Sequence, residues 1–81
     1  ETLTSILFYP NPADQFLHVI SKKTIMNCNM LLVNMSGQVV MHIKSQDLPF
    51  TISTGSVKSG LYVLQIKYDK HVKTHYIYIK H

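Results

Sequence analysis

The chain of 81 residues contains no arginine, a single cysteine and only four acidic residues. Because Cys28 has no cysteine partner, an intramolecular disulfide cannot contribute to stability. Base recognition and bidentate phosphate binding favour arginine, and the eight lysines are scattered along the sequence rather than clustered. A dispersed net charge of +4 is typical of a surface that keeps a protein in solution. We therefore expect no nucleic-acid partner.

The residues that catalysis requires are also scarce. The acidic residues are Glu1, Asp14, Asp47 and Asp69, and they form no evident acid–base pair. The glycines at 37, 55 and 60 do not form a phosphate-binding loop. Cys28 lies between two asparagines, which suggests a half-buried or exposed thiol rather than a nucleophile beside an oriented histidine. We expect no enzymatic activity, no cofactor and no small-molecule substrate.

The five histidines raise the question of a metal site. His71 and His75 would share one face of a helix, but on a strand four residues span about 13 Å, too far for one ion. Lys73 would lie between them on the same face and repel a cation. His18 and His42 belong to separate segments and could meet. Solvent-facing histidines explain the pattern better, and we expect no metal.

No apolar run is long enough to span a bilayer, and the sequence shows no signal peptide. The chain is therefore expected to be either cytosolic or part of a longer precursor whose export signal lies upstream.

What the sequence does contain is a series of short apolar segments separated by turn residues. Strands are predicted at residues 6–9, 16–20, 30–33, 38–43, 50–52, 61–68 and 72–79. Pro10 and Pro12 cannot donate to a ladder and must end the first strand, while Asn11 is expected to bond the local backbone. Asn34 to Gly37 fits a type I turn. The pattern predicts one all-β domain, a seven-stranded antiparallel sandwich of immunoglobulin-like size.

Alternation along the strands gives a predicted core. Its members are Leu17, Val19, Leu32, Val40, Ile52, Tyr62, Leu64 and Ile66. Gln65 and Lys67 are expected on the opposite face of the sixth strand. Gly60 is expected to close a turn with positive φ, which glycine adopts without strain.

Several motifs occur in a fixed order. They are Tyr-Pro-Asn-Pro-Ala at 9–13, Phe-Leu-His-Val at 16–19, Asn-Met-Ser-Gly-Gln-Val-Val at 34–40, Ser-Gly-Leu-Tyr-Val-Leu-Gln-Ile at 59–66 and Ile-Lys at 79–80. Together they resemble the type A C-terminal sorting domain of bacterial type IX secretion cargo, from about Leu7 to His81. The motif and turn residues that carry the resemblance are Tyr9, Pro10, Asn11, Pro12, Gly37, Gly60 and Tyr62.

The resemblance implies a non-catalytic β-sandwich that is exported to the periplasm on a covalently attached upstream cargo. A type IX translocon at the outer membrane would recognise it, and a sortase-like peptidase would remove it and attach the cargo to a lipopolysaccharide at the cell surface. Residues 1–5 would be linker, with Glu1 just past the cut. Candidate recognition residues lie on the terminal strand: Tyr76, Ile77, Tyr78, Ile79, Lys80 and His81.

A different function class stays open. Tyr62, Tyr68, Tyr76 and Tyr78 lie on the last two predicted strands and could form an aromatic platform. The chain would then be an accessory module that binds a glycan or another protein. Alternatively, some of these tyrosines fill the core and the others flank an edge.

Overall fold

The structure, a computed structural model, describes residues 6–81, and within them there is no helix. The strands are β1 (Ile6–Tyr9), β2 (Phe16–Ser21), β3 (Ile25–Asn34), β4 (Val39–Leu48), β5 (Phe50–Ser53), β6 (Gly60–Tyr68) and β7 (His71–Ile79). The predicted all-β class and the seven strands are confirmed. Glu1 and the linker expected at residues 1–5 lie outside the described residues.

The strands divide into a three-stranded sheet, ordered β1-β2-β5, and a four-stranded sheet, ordered β4-β3-β6-β7. All pairs within the sheets are antiparallel. Each sheet turns one face toward a shared apolar core. The first sheet contributes Leu17, Val19 and Ile52, and the second contributes Met30, Leu32, Leu64, Ile66, Ile77 and Ile79. Burial of these side chains is the main force that holds the two sheets together.

The hairpin between β3 and β4 has the predicted turn. The Gly37 N–H donates to the Asn34 carbonyl at 3.0 Å, and Gly37 has a φ of 88°. A side chain at this backbone angle would be strained. The Asn34 side-chain oxygen accepts from the N–H groups of Ser36 and Gln38, at 3.0 and 2.9 Å. Asn34 therefore satisfies backbone donors that the turn leaves outside the ladder.

One member of the predicted core is wrong: Val40 is 41% exposed, whereas the other seven are buried. The register between β3 and β4 shifts at this point. Leu32 pairs with Met41, but the next residue, Val33, pairs with Val39. Val40 is therefore the extra residue of a β-bulge, and Met41 packs against the core instead.

The expectation for Gly60 is also wrong. Gly60 is the first residue of β6, and Gly37 is the glycine for which a positive φ is found among the described residues. A Cβ at Gly60 would lie 3.6 Å from a ring carbon of Tyr62, an ordinary contact. The ring of Tyr62 is nearly buried, and its hydroxyl donates to the Lys58 carbonyl at 2.7 Å. Gly60 thus begins the strand beside a packed tyrosine rather than closing a strained turn.

β3 and β4 extend well beyond the predicted segments. Polar side chains accept hydrogen bonds from the backbone at two irregular positions, so the pairing of the two strands continues beyond them. Asn27 and Ser45 have φ angles of 56° and 53°. The Asp47 carboxylate accepts from the Asn27 N–H at 3.0 Å, and the Asn29 side-chain oxygen accepts from the Ser45 N–H at 3.1 Å. Residues typical of turns here support bulges inside a long hairpin.

Candidate functional site at the terminal strand

The proline segment, residues 9–13, lies against β7 at the edge of the four-stranded sheet. The Asn11 side-chain oxygen accepts from the Tyr78 N–H at 3.0 Å, and its NH₂ group donates to the Tyr76 carbonyl at 3.3 Å. Asn11 therefore bonds a strand more than sixty residues away rather than the local backbone that the sequence suggested. With Pro10 and Pro12 lacking N–H groups, the amide side chain supplies the donor and the acceptor that pair with the strand.

Ala13 continues this pairing as a parallel bridge to Ile79. Its N–H donates to the Tyr78 carbonyl, and its carbonyl accepts from the Lys80 N–H, both at 2.8 Å. Ala13 is fully buried, so a larger side chain would have to displace its neighbours. The outward backbone groups from the Tyr76 carbonyl to the Lys80 N–H are thus occupied within the chain, which leaves the side chains of this segment as its recognisable features.

The chain then crosses to the other sheet at Asp14 and Gln15. The Thr54 hydroxyl donates to the Asp14 carbonyl at 2.9 Å, and the Thr54 N–H donates to the Gln15 carbonyl at 2.8 Å. Thr54 is a buried polar residue, and these bonds satisfy it. The segment from Asn11 to Gln15 therefore fastens β7 of one sheet to the end of β5 of the other.

His81 closes the same corner of the molecule. Its Nδ1 lies 2.6 Å from the Asp14 carboxylate and its Nε2 lies 2.6 Å from the Val57 carbonyl. Its backbone N–H donates to the Ser59 hydroxyl at 3.0 Å. Both ring nitrogens face acceptors, so the protonated ring can donate to both. The hydrogen bond to Asp14, followed by that to Val57, raises the pKa of His81.

The predicted recognition residues fall into two groups in the structure. Ile77 and Ile79 are buried in the core, whereas Tyr76 is 67% and Tyr78 is 45% exposed. Lys80 and His81 are exposed at the end of the strand. Alternation along β7 explains the division. Of this segment, Tyr76, Tyr78, Lys80 and His81 are accessible to a partner.

The remaining motif residues serve the fold in different ways. Tyr9 is exposed, and its ring centroid lies 5.0 Å from that of His18. Pro10 and Pro12 are exposed on either side of Asn11. Of the four tyrosines considered as a platform, Tyr62 and Tyr68 are buried in the core. A four-tyrosine platform is therefore not formed.

The histidines on the strands have separate surroundings. His18 contacts the Thr51 hydroxyl at 2.9 Å on the three-stranded sheet, whereas His42 belongs to β4 of the other sheet. His71 contacts the Tyr68 ring, with 5.3 Å between ring centroids, and the corresponding distance from His75 to Phe8 is 4.2 Å. Residues 6–81 contain no group of three or more His, Cys, Asp or Glu side chains that could hold a metal ion.

Two pKa shifts have clear physical causes. Burial lowers the pKa of His75, and the positive charge of Lys73 lowers it further. Burial raises the pKa of Cys28, with smaller contributions from Asp47 and Asp69. Cys28 is fully buried, so the expectation of a half-buried or exposed thiol is wrong. A buried thiol with a raised pKa is a poor nucleophile because little thiolate forms.

The comparisons with known proteins add a family match. The model of the secretion system C-terminal sorting domain matches residues 7–80, which is nearly the whole described fold. The comparison with curated proteins gives no match. The described residues, 6–81, include no candidate membrane-spanning helix.

Proposed function

Because the chain belongs to the family of type IX secretion C-terminal sorting domains, we propose that it acts as a removable address for an attached cargo protein. Membership of this family implies a type IX secretion signal and a cargo that is secreted or displayed at the cell surface. The finer steps belong to our proposal. The domain passes through the periplasm on its cargo, engages the translocon, and is removed by a sortase-like peptidase so that the cargo can be anchored.

The observation that carries this proposal is the match over residues 7–80. The contacts of the proline segment support it. An address that follows unrelated cargo proteins should fold by itself, because its recognised surface must form whatever precedes it. Asn11 and Ala13 bond the proline segment to β7, so the contacts that hold this segment come from within the domain itself.

We also propose that the sandwich is immunoglobulin-like and that it carries no catalysis. The order β1-β2-β5 and the neighbours β3-β6-β7 correspond to strands A-B-E and C-F-G of an immunoglobulin domain. The fourth strand differs, since it pairs with β3 rather than with β5. The burial of Cys28 and the separate surroundings of the histidines support the proposal that the domain carries no catalytic site.

The test is a fusion of a signal peptide, an unrelated folded reporter and this chain, expressed in a cell with a type IX system. We expect the reporter at the cell surface, and we expect mass spectrometry to show that the domain has been removed. The matched control is the same fusion in a strain that lacks the translocon, where the reporter should stay in the periplasm. Equal distribution of the reporter in both strains would contradict the sorting role.

A further inference from the structure

The outer face of the four-stranded sheet carries apolar side chains that the core does not use. Val33 of β3 pairs with Val39 of β4 and with Val63 of β6, and Val63 pairs with Tyr76 of β7. These partners form one row across all four strands. The next row contains Leu61 paired with Tyr78. We call these six residues, Val33, Val39, Leu61, Val63, Tyr76 and Tyr78, the outer apolar patch.

Alternation confirms which way this patch faces. Its neighbours Leu32, Leu64 and Ile77 are buried in the core, so the residues beside them on each strand point away from it. Val39 and Tyr76, at the two ends of the row, are 54% and 67% exposed. Val33 and Val63, between them, are half-buried. An antiparallel sheet with one face in water normally has polar residues on that face. A contiguous apolar patch that is exposed at both ends on a small domain instead indicates an interaction surface.

The same face becomes basic further along the strands. An open depression of about 410 Å³ is lined by Asn29, Leu31, His42, Lys44, Gln65 and Lys67. Leu31 pairs with His42 and Gln65, and Asn29 pairs with Lys67, so the depression adjoins the row that contains Val33. None of the described residues that line it is acidic. A partner is therefore expected to supply negative charge at this side of the patch.

We propose that this face docks on a protein of the secretion machinery whose surface is apolar at its centre and acidic at one side. The inference rests on the proposed sorting function. A second copy of the chain fits less well, because the patch and the depression offer apolar, polar and basic groups but no acidic side chain to a copy of themselves. An anionic glycan fits less well too, since the centre of the row consists of valines rather than of the aromatic rings on which sugars stack.

Docking through this face also agrees with the contacts at the edge of the sheet. The outward backbone groups from the Tyr76 carbonyl to the Lys80 N–H bond Asn11 and Ala13, so strand addition along that part of β7 would require the proline segment to detach. The exposed side chains of Tyr76 and Tyr78 can contact a partner without any such change, since both belong to the outer apolar patch.

The test uses the reporter fusion with changes on this face alone. Val39→Thr combined with Val63→Thr keeps β-branched side chains but makes the patch polar, and Lys44→Glu combined with Lys67→Glu reverses the charge of the depression. We expect each pair to lower surface display about tenfold or more, as loss of a central contact does in other interfaces, with an unchanged melting curve. Matched controls are Leu7→Thr, an exposed apolar residue of β1, and Lys22→Glu combined with Lys23→Glu in the turn after β2.

A photo-crosslinking amino acid at position 76, with position 7 as the control, then identifies the neighbour in living cells. A crosslink from position 76 to an outer-membrane component of the secretion system, at a segment with Asp or Glu, is expected. A crosslink only to another copy of the domain, only to polysaccharide or to nothing would overturn the docking proposal. Normal display of both double variants would also overturn it. If the intact fusion itself is not displayed, the sorting function fails instead, so the two failures are distinguishable.

Discussion

Asn11 joins the start of the domain to its last strand through both polar groups of one side-chain amide. Asn11→Ala should leave the Tyr78 N–H and the Tyr76 carbonyl to water and should lower the free energy of unfolding by about 1–2 kcal/mol. Chemical denaturation measures this loss, and hydrogen exchange at the Tyr78 amide reports the local opening. Lys22→Ala, in an exposed turn, is the control. Unchanged stability with a protected Tyr78 amide would show that the hydrogen bonds of the Asn11 side chain are not needed to hold β7 in place.

The two histidines with shifted pKa values should act on stability in opposite directions. The pKa of His81 is raised in the folded state, chiefly by Asp14. Its contribution to stability is therefore present below the ordinary pKa of about 6.5 and is lost as the pH rises through the folded-state pKa. The pKa of His75 is lowered, chiefly by burial. Its protonation therefore favours the unfolded state, and stability falls as the pH drops through its ordinary pKa.

NMR titration of the two rings measures the shifts directly, and melting curves of His81→Gln and His75→Gln separate their effects on stability. We expect the His81 resonance to titrate at higher pH than an unstructured histidine and the His75 resonance at lower pH. Coincident titration of both rings at the ordinary value would contradict the contacts with Asp14 and Phe8.

At the level of the element, the alternation of buried and exposed side chains along a regular strand could be predicted from the sequence. How that alternation continues past a β-bulge could not. The prediction for β6 is confirmed, because Tyr62, Leu64 and Ile66 are buried while Lys67 is exposed. In β4 the extra residue at Val40 displaces the alternation by one position. Local sequence shows no signal for it, since the bulge depends on how β4 pairs with β3.

The difference between a buried position in β6 and an exposed bulge position in β4 can be tested with a matched pair of variants. Leu64→Ala removes a fully buried side chain from β6 and should destabilise the domain by about 2–5 kcal/mol. Val40→Ala removes an exposed side chain from the bulge of β4 and should cost less than about 1 kcal/mol. Urea denaturation midpoints compare the two. A larger loss for Val40→Ala would place that side chain in the core and would contradict the register of the hairpin.

The contact between the proline segment and the terminal strand could not be predicted from the sequence either. The proline segment and the terminal strand could be identified separately, because prolines, turn residues and apolar alternation are local signals. Their mutual contact could not, since a pairing between residues 11 and 78 leaves no periodicity in the sequence. The outer apolar patch was missed for the same reason. Apolar residues on both faces of β3 and β6 suggest strands, and only the register between strands arranges Val33, Val39 and Val63 in one row.

At the level of the whole molecule, the last strand is part of the core as well as a candidate recognition element. Removing residues 76–81 deletes the buried Ile77 and Ile79 and the partners of Asn11 and Ala13. We expect the truncated chain to lose cooperative unfolding, measured by calorimetry, because so small a domain has little stability in reserve. Failed export of that truncation would therefore not show direct recognition of the strand.

Surface substitutions distinguish the two possible causes of failed export, which are loss of the fold and loss of a recognised side chain. Tyr76→Ser and Lys80→Gln change exposed side chains and should alter stability by no more than about 0.5–1 kcal/mol. A native melting curve together with reduced export of Tyr76→Ser would indicate recognition through its side chain. A cooperative transition in the truncated chain would instead mean that β7 is not integral to the fold.

The most direct test of the sorting role is the fraction of reporter that protease can digest on intact cells, measured for two unrelated reporters fused to this chain. The account predicts that most of each reporter is digested in cells with a type IX system, and that each is protected in the translocon-deficient strain. The result should not depend on the reporter, because we expect the sandwich to fold independently of its cargo. Protection of both reporters in the competent cells, with the fusions folded and present in the periplasm, would contradict the central claim.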